Sequence, residues 1–372
     1  MSAQDKQKRL PRHAVLNPAG VEIYARSTRL GHYGLLPFET FWSQRYRYLQ
    51  DSGYLLRPRY APKWKPSWIG TNLDPIYCED SIMLLDHQVI DARRRTDNEL
   101  VAIKTFPRNS QEVHIAQFLS NAEDKTNHAV PVFAILPDPF DPQLSLMVMP
   151  YLRPCNDPEF GNIGEVIEFI NQLVEGLVFM HKHRIAHRDI ALANIMMDAK
   201  PLYPDGHHPV RLEASLDALY DVTPLPRTGR SIRYYYIDFG LSVKFPEGAP
   251  SLVVGDVGRD AEVPELSPDV PYDAFPVDIY ALGNMLFKHF AQEYNSMEFL
   301  LPLIEQMKRL QPETRPTAPQ VLREWQRIRG DLSDSLFRWR LGPKSEPAVE
   351  RMFKDTVAAA WEGVFRLRQL VG

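Results

Sequence analysis

The spacing of apolar positions changes character twice along the chain, and each change marks a boundary. Residues 1–78 carry many aromatic and proline residues, as in GYLLRPRYAPKWKPSWIG, with no sustained period. They predict an extended arm pinned by its Trp and Tyr side chains. From Asp80 short β-type runs take over: SIMLLD, HQVIDARRR, a polar TDNE turn, and LVAIKTF, where Val101 and Ile103 alternate with Ala102 and Lys104. An antiparallel meander is expected there. NSQEVHIAQFLS then sets Ile115, Phe118 and Leu119 at helical spacing behind a Ser110 cap and an acidic first turn, which predicts one short helix. AVPVFAIL and LSLMVMPYL, joined by the turn PDPFDPQ, predict a hairpin that completes a five-stranded sheet near residue 152.

Beyond that point the period becomes helical. GEVIEFINQLVEGLVFMHKH has apolar residues at i, i+3, i+4 and i+7 over about five turns, the pattern of a long buried helix. FPVDIYALGNMLFKHFA, MEFLLPLIEQMKRLQ, TAPQVLREWQRIRG and PAVERMFKDTVAAAWEGVFRLRQL continue in the same style. The expected class is α+β: an arm over 1–78, a sheet-bearing small lobe over 79–152, a mainly helical large lobe over 153–328, and a helical extension over 329–372.

Composition narrows the function without choosing it. The chain has 372 residues, 44% of them hydrophobic, enough for a large two-lobed core. A formal net charge of −4 argues against nucleic acid as a partner, because phosphate backbones select basic surfaces. Two cysteines, Cys78 and Cys155, are too few for a disulfide framework or a cysteine zinc site and suit a reducing compartment. The first residues lack the apolar core of a secretory signal, and no run of about 18 apolar residues occurs, so an intracellular protein, cytoplasmic or nuclear, with no membrane partner is expected. His207 and His208 have no spaced Cys or acidic partner, which predicts a solvated loop.

Three short stretches stand in a fixed order: VAIK at 101–104, HRDIALAN at 187–194, and YYYIDFGLS at 234–242. Together they resemble the eukaryotic protein kinase family, whose signature is a strand lysine, an H-R-D loop with an asparagine five residues on, and D-F-G. Alone, a strand lysine is ordinarily a solvated edge charge. The ordered set reverses that reading for Lys104. The resemblance covers about residues 80–328 and implies a bilobal protein kinase-like fold that uses ATP and Mg2+. In it Lys104 meets the α- and β-phosphates and pairs with Glu112, Asp189 orients the attacking hydroxyl and accepts its proton, and Asn194 and Asp238 hold the metal. Val89, Ala102, Met149, Pro150 and Leu152 would surround the nucleotide base. Val263-Pro264-Glu265 resembles the segment end A-P-E, Arg315 its buried ion-pair partner, and Asp278 the aspartate that braces the catalytic loop.

The sequence also departs from the family. Residues 81–89, where a glycine-rich phosphate loop belongs, contain no glycine. The positions where family members carry a catalytic-loop lysine or arginine are Ala191 and Ala193, so neither supplies a cation to the transferring phosphoryl. Pro150 keeps the carbonyl of its position. Asp189 and Asp238 lie 49 positions apart, against roughly twenty for a short hairpin connection, which marks an insertion over 199–231. That insertion, with CEDSI, NHAVPV, LYPDGHHPV and an R-T-x-R segment before YYYIDFGLS, is similar to protein kinase-like proteins of mushroom-forming fungi.

Arg188 in such a loop typically meets a phosphate on the following segment. Residues 252–263 hold no Ser or Thr, but they do hold Asp256 and Asp260, so Arg188 is expected to pair with one of these carboxylates. Two functions compete. One is a protein kinase acting on serine or threonine. The other is a pseudokinase scaffold that binds nucleotide weakly or not at all, favoured by the lost glycines and the lost cation. A small-molecule kinase fits less well, because VPE, DIYALG and RPTAPQVL resemble protein kinases specifically. The protein substrate and the oligomeric state are not encoded in any of these motifs.

Overall fold

A computed structural model describes residues 11–354 and 356. The chain divides into two compact units. Among the described residues, the first holds those up to Arg108 together with Val132–Tyr151 and Lys200–Leu225, and the second holds Asn109–Pro131, Leu152–Ala199 and those from Pro226 onward.

In the first unit, helices α1 (Pro18–Arg29) and α2 (Pro37–Asp51) precede a five-stranded antiparallel sheet. Its strands are β1 (Tyr54–Leu55), β2 (Val89–Arg94), β3 (Leu100–Pro107), β4 (Ala134–Pro137) and β5 (Leu144–Pro150), in the order β1-β2-β3-β5-β4. The expected alternation on β3 holds, with Val101 and Ile103 fully buried and Ala102 and Lys104 half-buried. The expected strand at SIMLLD does not form. Tyr54–Leu55 of the arm takes the sheet edge beside β2 instead, and the backbone of the intervening stretch is bonded to arm side chains. Leu84 N–H donates to Glu39, and the Ile82 carbonyl accepts from Arg57.

The arm is therefore not extended, and aromatic side chains are only part of what fixes it. Trp42, Leu49, Tyr54, Leu56 and Tyr60 share one core with Ile90, Val101, Ile103, Leu146 and Val148 of the sheet. The inward positions of α2 are Glu39, Trp42, Arg45 and Leu49, spaced as one face of a helix requires. Two of those four are charged, which hid the period from a reading by hydrophobicity. Each is paired. Arg59 donates to Glu39 at 2.8 and 2.9 Å, and Arg45 donates to Asp138 at 2.9 Å through Nη2. Arg57 reaches Asp91 of β2 at 3.1 Å. Arg59 and Arg45 each meet their carboxylate through two nitrogens out of water, where bidentate geometry offsets desolvation best.

The insertion belongs to this unit through residue 225. Tyr151 donates to the carbonyl of Pro209, His13 meets the carbonyl of Leu219, and the rings of Tyr203, His207 and Tyr151 are in contact. His207 and His208 are buried, which overturns the solvated-loop expectation. His208 Nδ1 accepts the amides of Val210 and Arg211 and so shapes the loop from within.

In the second unit, α3 (Gln111–Ser120) begins at Ser110 as expected, although the Ser110 side chain makes no capping hydrogen bond. The long helix α4 (Ile163–Lys182) runs through the core. A small sheet of β6 (Arg153–Pro154), β8 (Ile195–Met197) and β9 (Tyr234–Tyr236) lies in the same unit, and β7 (Ile185–Ala186) pairs with β10 (Val243–Lys244). Gly176 allows α4 to approach β9, because a Cβ there would lie 2.8 Å from His128 Cβ and 3.0 Å from the Tyr236 ring. A second hairpin joins β11 (Leu252–Gly255) to β12 (Ser267–Asp273). Helices α5 (Ala274–Leu286), α6 (Leu301–Met307) and α7 (Ala318–Asp331) follow. The last expected helix starts at Ala348, and its remainder, residue 355 and residues 357–372, lies outside the described residues. No helix among the described residues is long and apolar enough to cross a membrane.

Acid should destabilise this protein in two stages. Burial draws the His128 imidazole down to about 4. The unfolded chain therefore binds that proton first, and the histidine's contribution is lost as pH falls from about 6.5 towards 4. Burial alone would raise the Glu39 and Asp138 carboxyls, but hydrogen bonds from Arg59 and Arg45, the charge of those arginines and backbone amides together outweigh it and hold both below the usual range. Their contribution is present above about pH 4 and lost below it. Urea midpoints recorded from pH 7 to 3 test both stages. Arg45→Ala, which leaves Asp138 buried and unpaired, should cost about 3–5 kcal/mol at pH 7.

Candidate active site

The strand pairing sorts the residues expected around a nucleotide. Val89 lies opposite Lys104, and Ala102 opposite Met149, so these four share the face of the sheet turned away from the arm's core. All four are half-buried. Pro150 ends β5 opposite Val101, and Leu152 lies in the second unit. Glu112 also lies in the second unit, on the first turn of α3, while Lys104 is in the first.

In the second unit the loop after β7 is fixed by one carboxylate. Asp278 of α5, fully buried, accepts the backbone amides of His187 at 2.8 Å and Arg188 at 2.7 Å, and lies 2.9 Å from His181 Nε2. Arg188 has a positive φ of 66°, a conformation a bulky residue adopts only when its surroundings impose it. His187 is the second tie. Its Nε2 lies 3.1 Å from the carbonyl of Ile237, and its Nδ1 accepts the amide of Asp189. Burial lowers its pKa, which keeps the ring neutral and suits one donating and one accepting nitrogen.

Asp189 is thereby presented with its carboxylate oriented at both oxygens. Oδ2 accepts Asn194 Nδ2 at 2.7 Å, and Oδ1 accepts the amide of Arg259 at 2.6 Å. The same Asn194 nitrogen reaches the Asp189 carbonyl at 2.8 Å, which leaves the amide oxygen as the acceptor atom of the Asn194 side chain. Asp238 follows β9 in a left-handed conformation, φ 63°, and Phe239 is buried against the His187 ring. A Cβ on Gly240 would lie 3.3 Å from Asp238 Oδ1 and 3.8 Å from Glu112 Oε2, so the two carboxylates approach the same turn.

The segment from Ser242 to Glu265 corrects one expectation and bears out another. Arg188 does not pair with Asp256 or Asp260. Its guanidinium donates to the carbonyls of Leu241 at 3.2 Å and Val254 at 3.0 Å and to the Tyr272 hydroxyl. Asp260 is engaged elsewhere, accepting Asn284 Nδ2 of α5 at 2.9 Å. Glu262 accepts the same nitrogen and pairs with Lys288 at 2.7 Å. Carbonyl oxygens and a phenol thus restrain the segment. Ser242 is buried and donates to the carbonyl of His187. At the segment's end Glu265 and Arg315 form the anticipated buried pair, and Arg315 also donates to the carbonyls of Pro276 and Arg309.

Arg259, Tyr272 and Asn284 were missed by motif reasoning. None sits at a fixed spacing from a motif; each reaches the site through the fold of its own segment.

A five-stranded antiparallel sheet with a half-buried strand lysine, and a largely helical unit with a braced aspartate loop, define the α+β architecture of phosphotransferases of the kinase class. The protein kinase domain profile matches residues 87–298, more than half of the chain, and the chain belongs to that family. No curated protein matches the sequence.

Removing the brace tests how the loop is held. Asp278→Ala strands the amides of His187 and Arg188, which should cost about 2–4 kcal/mol by chemical denaturation and speed hydrogen exchange at those two amides above that of α4.

Proposed function

We propose that the protein is an ATP-dependent protein kinase that transfers the γ-phosphoryl to a serine or threonine hydroxyl of a protein. The observation that carries this reading is Asp189, a carboxylate held from both sides on a loop whose backbone is fixed by Asp278. Each carboxylate oxygen has two acceptor sites, so both can hold their present partner and still take a substrate proton. Pre-orientation of this kind supplies most of what phosphoryl transfer needs, since the reaction depends on positioning and charge neutralisation.

The other roles follow the family resemblance. Lys104 is the cation for the α- and β-phosphates and Glu112 its counter-ion. Val89, Ala102, Met149, Pro150 and Leu152 accommodate the base. Asp238 and Asn194 offer hard oxygen donors of the kind Mg2+ prefers, and such a site ordinarily completes its shell with water and substrate phosphate. Among the described residues no group of three or more His, Cys, Asp or Glu could hold a metal ion by itself. When bound, Mg2+ neutralises phosphate charge. The narrower kinship with kinase-like proteins of mushroom-forming fungi, and an intracellular location, belong to the same proposal.

One observation favours a second reading, that of a pseudokinase scaffold. Residues 82–88 form no strand and contain no glycine, so a phosphate-covering hairpin of the usual type does not precede β2. Thermal unfolding with and without MgATP separates the two. Nucleotide at about 100 times its Kd stabilises a binding protein by about 2.7 kcal/mol. No shift would move the assignment to the scaffold. If the shift occurs, Asp238→Ala should abolish its Mg2+-dependent part, and Asp189→Asn should preserve binding while lowering phosphate transfer, followed by mass spectrometry, by about 100-fold or more.

A further inference from the structure

The catalytic loop presents alanine at both places where a cation could stand, Ala191 and Ala193, yet a cation does reach Asp189 from another segment. Arg259 arrives between β11 and β12. Its backbone amide donates to Asp189 Oδ1 at 2.6 Å, and its Nε lies 3.8 Å from Asp189 Oδ2. The anchoring bond is made by the main chain, so it does not use the side chain. Among the described residues the guanidinium makes no hydrogen bond, and it is half exposed beside a nearly buried carboxylate.

The neighbouring acids do not claim it. Asp260 and Glu262 are both bonded to Asn284, and Lys288 pairs with Glu262 at 2.7 Å and approaches Asp260 at 3.9 Å. Five N–H donors in a planar fork are therefore unspent next to the oriented base, a geometry suited to phosphate oxygens.

We infer that Arg259 supplies the positive charge that neutralises the transferring phosphoryl, replacing the cation absent at Ala191 and Ala193. The inference rests on the kinase reading above. As the acceptor oxygen bonds to the γ-phosphorus, its proton passes to Asp189, and the bond from that phosphorus to the β-phosphate oxygen breaks with the electron pair leaving on ADP. Charge spreads over the three equatorial oxygens, and a guanidinium beside the base is placed to meet it. Docking of the segment and completion of the catalytic charge then become one event, because the amide of Arg259 joins the segment to the base.

The test uses the full chain with MgATP, following phosphate incorporation into the chain itself and ATP hydrolysis. Arg259→Ala should lower kcat by about 10- to 100-fold with little change in the KM for ATP, since the lost interaction belongs to the transition state. Arg259→Lys should retain most of the rate. Ala191→Lys in the Arg259→Ala background should recover at least about tenfold. A readout independent of turnover is affinity for MgADP with aluminium fluoride, a stand-in for the transferring phosphoryl. Arg259→Ala should weaken it by about the same factor while MgADP alone binds as before.

Wild-type kcat in Arg259→Ala, a faster variant, or a loss rescued by neither lysine overturns the inference and leaves the kinase reading standing. A wild type no faster than Asp189→Asn overturns the kinase reading, and the inference with it.

Discussion

Asp278 is buried from water on a helix, and the backbone amides it accepts belong to two consecutive residues of the loop that presents Asp189. A carboxylate buried in that position needs hydrogen-bond donors, and the loop amides must find an acceptor because their own conformation offers none. The need is mutual, which is why Arg188 can be held at a positive φ. From that point the geometry propagates. His187 reaches the carbonyl before Asp238, Phe239 packs on the His187 ring, and Ser242 bonds the His187 carbonyl. Asp189, Asp238 and the start of the following segment are tied to one loop.

The first unit is built on a different constraint. Its sheet is covered by an arm whose inward helix face is half charged, and the charges are tolerated because Arg45 and Arg59 each meet a carboxylate through two nitrogens. The ion pairs add directionality: Arg57 links the arm to β2, Arg45 links α2 to the β4–β5 turn, and Arg59 turns back to Glu39. Part of the insertion completes this unit, with His208 serving as an internal acceptor for loop amides.

The segment between β10 and α5 shows how local satisfaction redirects a charged residue. Asp260 and Glu262 are held by Asn284 and Lys288, so Arg188 turns to carbonyls and a tyrosine hydroxyl. The serine nearest the loop, Ser242, is buried and donating. Such a segment is held by neutral acceptors that do not depend on a modification.

By itself the sequence determined whatever is written locally. Alternation at Val101 and Ile103 gave β3, the 3.6-residue period gave α4, and the ordered motifs gave the family, the Asp278 brace and the Glu265–Arg315 pair, since each depends on residue type at fixed spacing. The arm was illegible because Glu39 and Arg45 occupy inward positions that a hydrophobic pattern counts as outward. The apolar residues of SIMLLD suit a strand equally well, but the Glu39 and Arg57 side chains take up the Leu84 amide and the Ile82 carbonyl instead. Only the tertiary structure decided which acid Arg188 would miss, which cation would reach Asp189, and that the His207–His208 pair is internal. Those outcomes turn on competition among partners far apart in the chain, and composition and spacing carry no record of which partner wins.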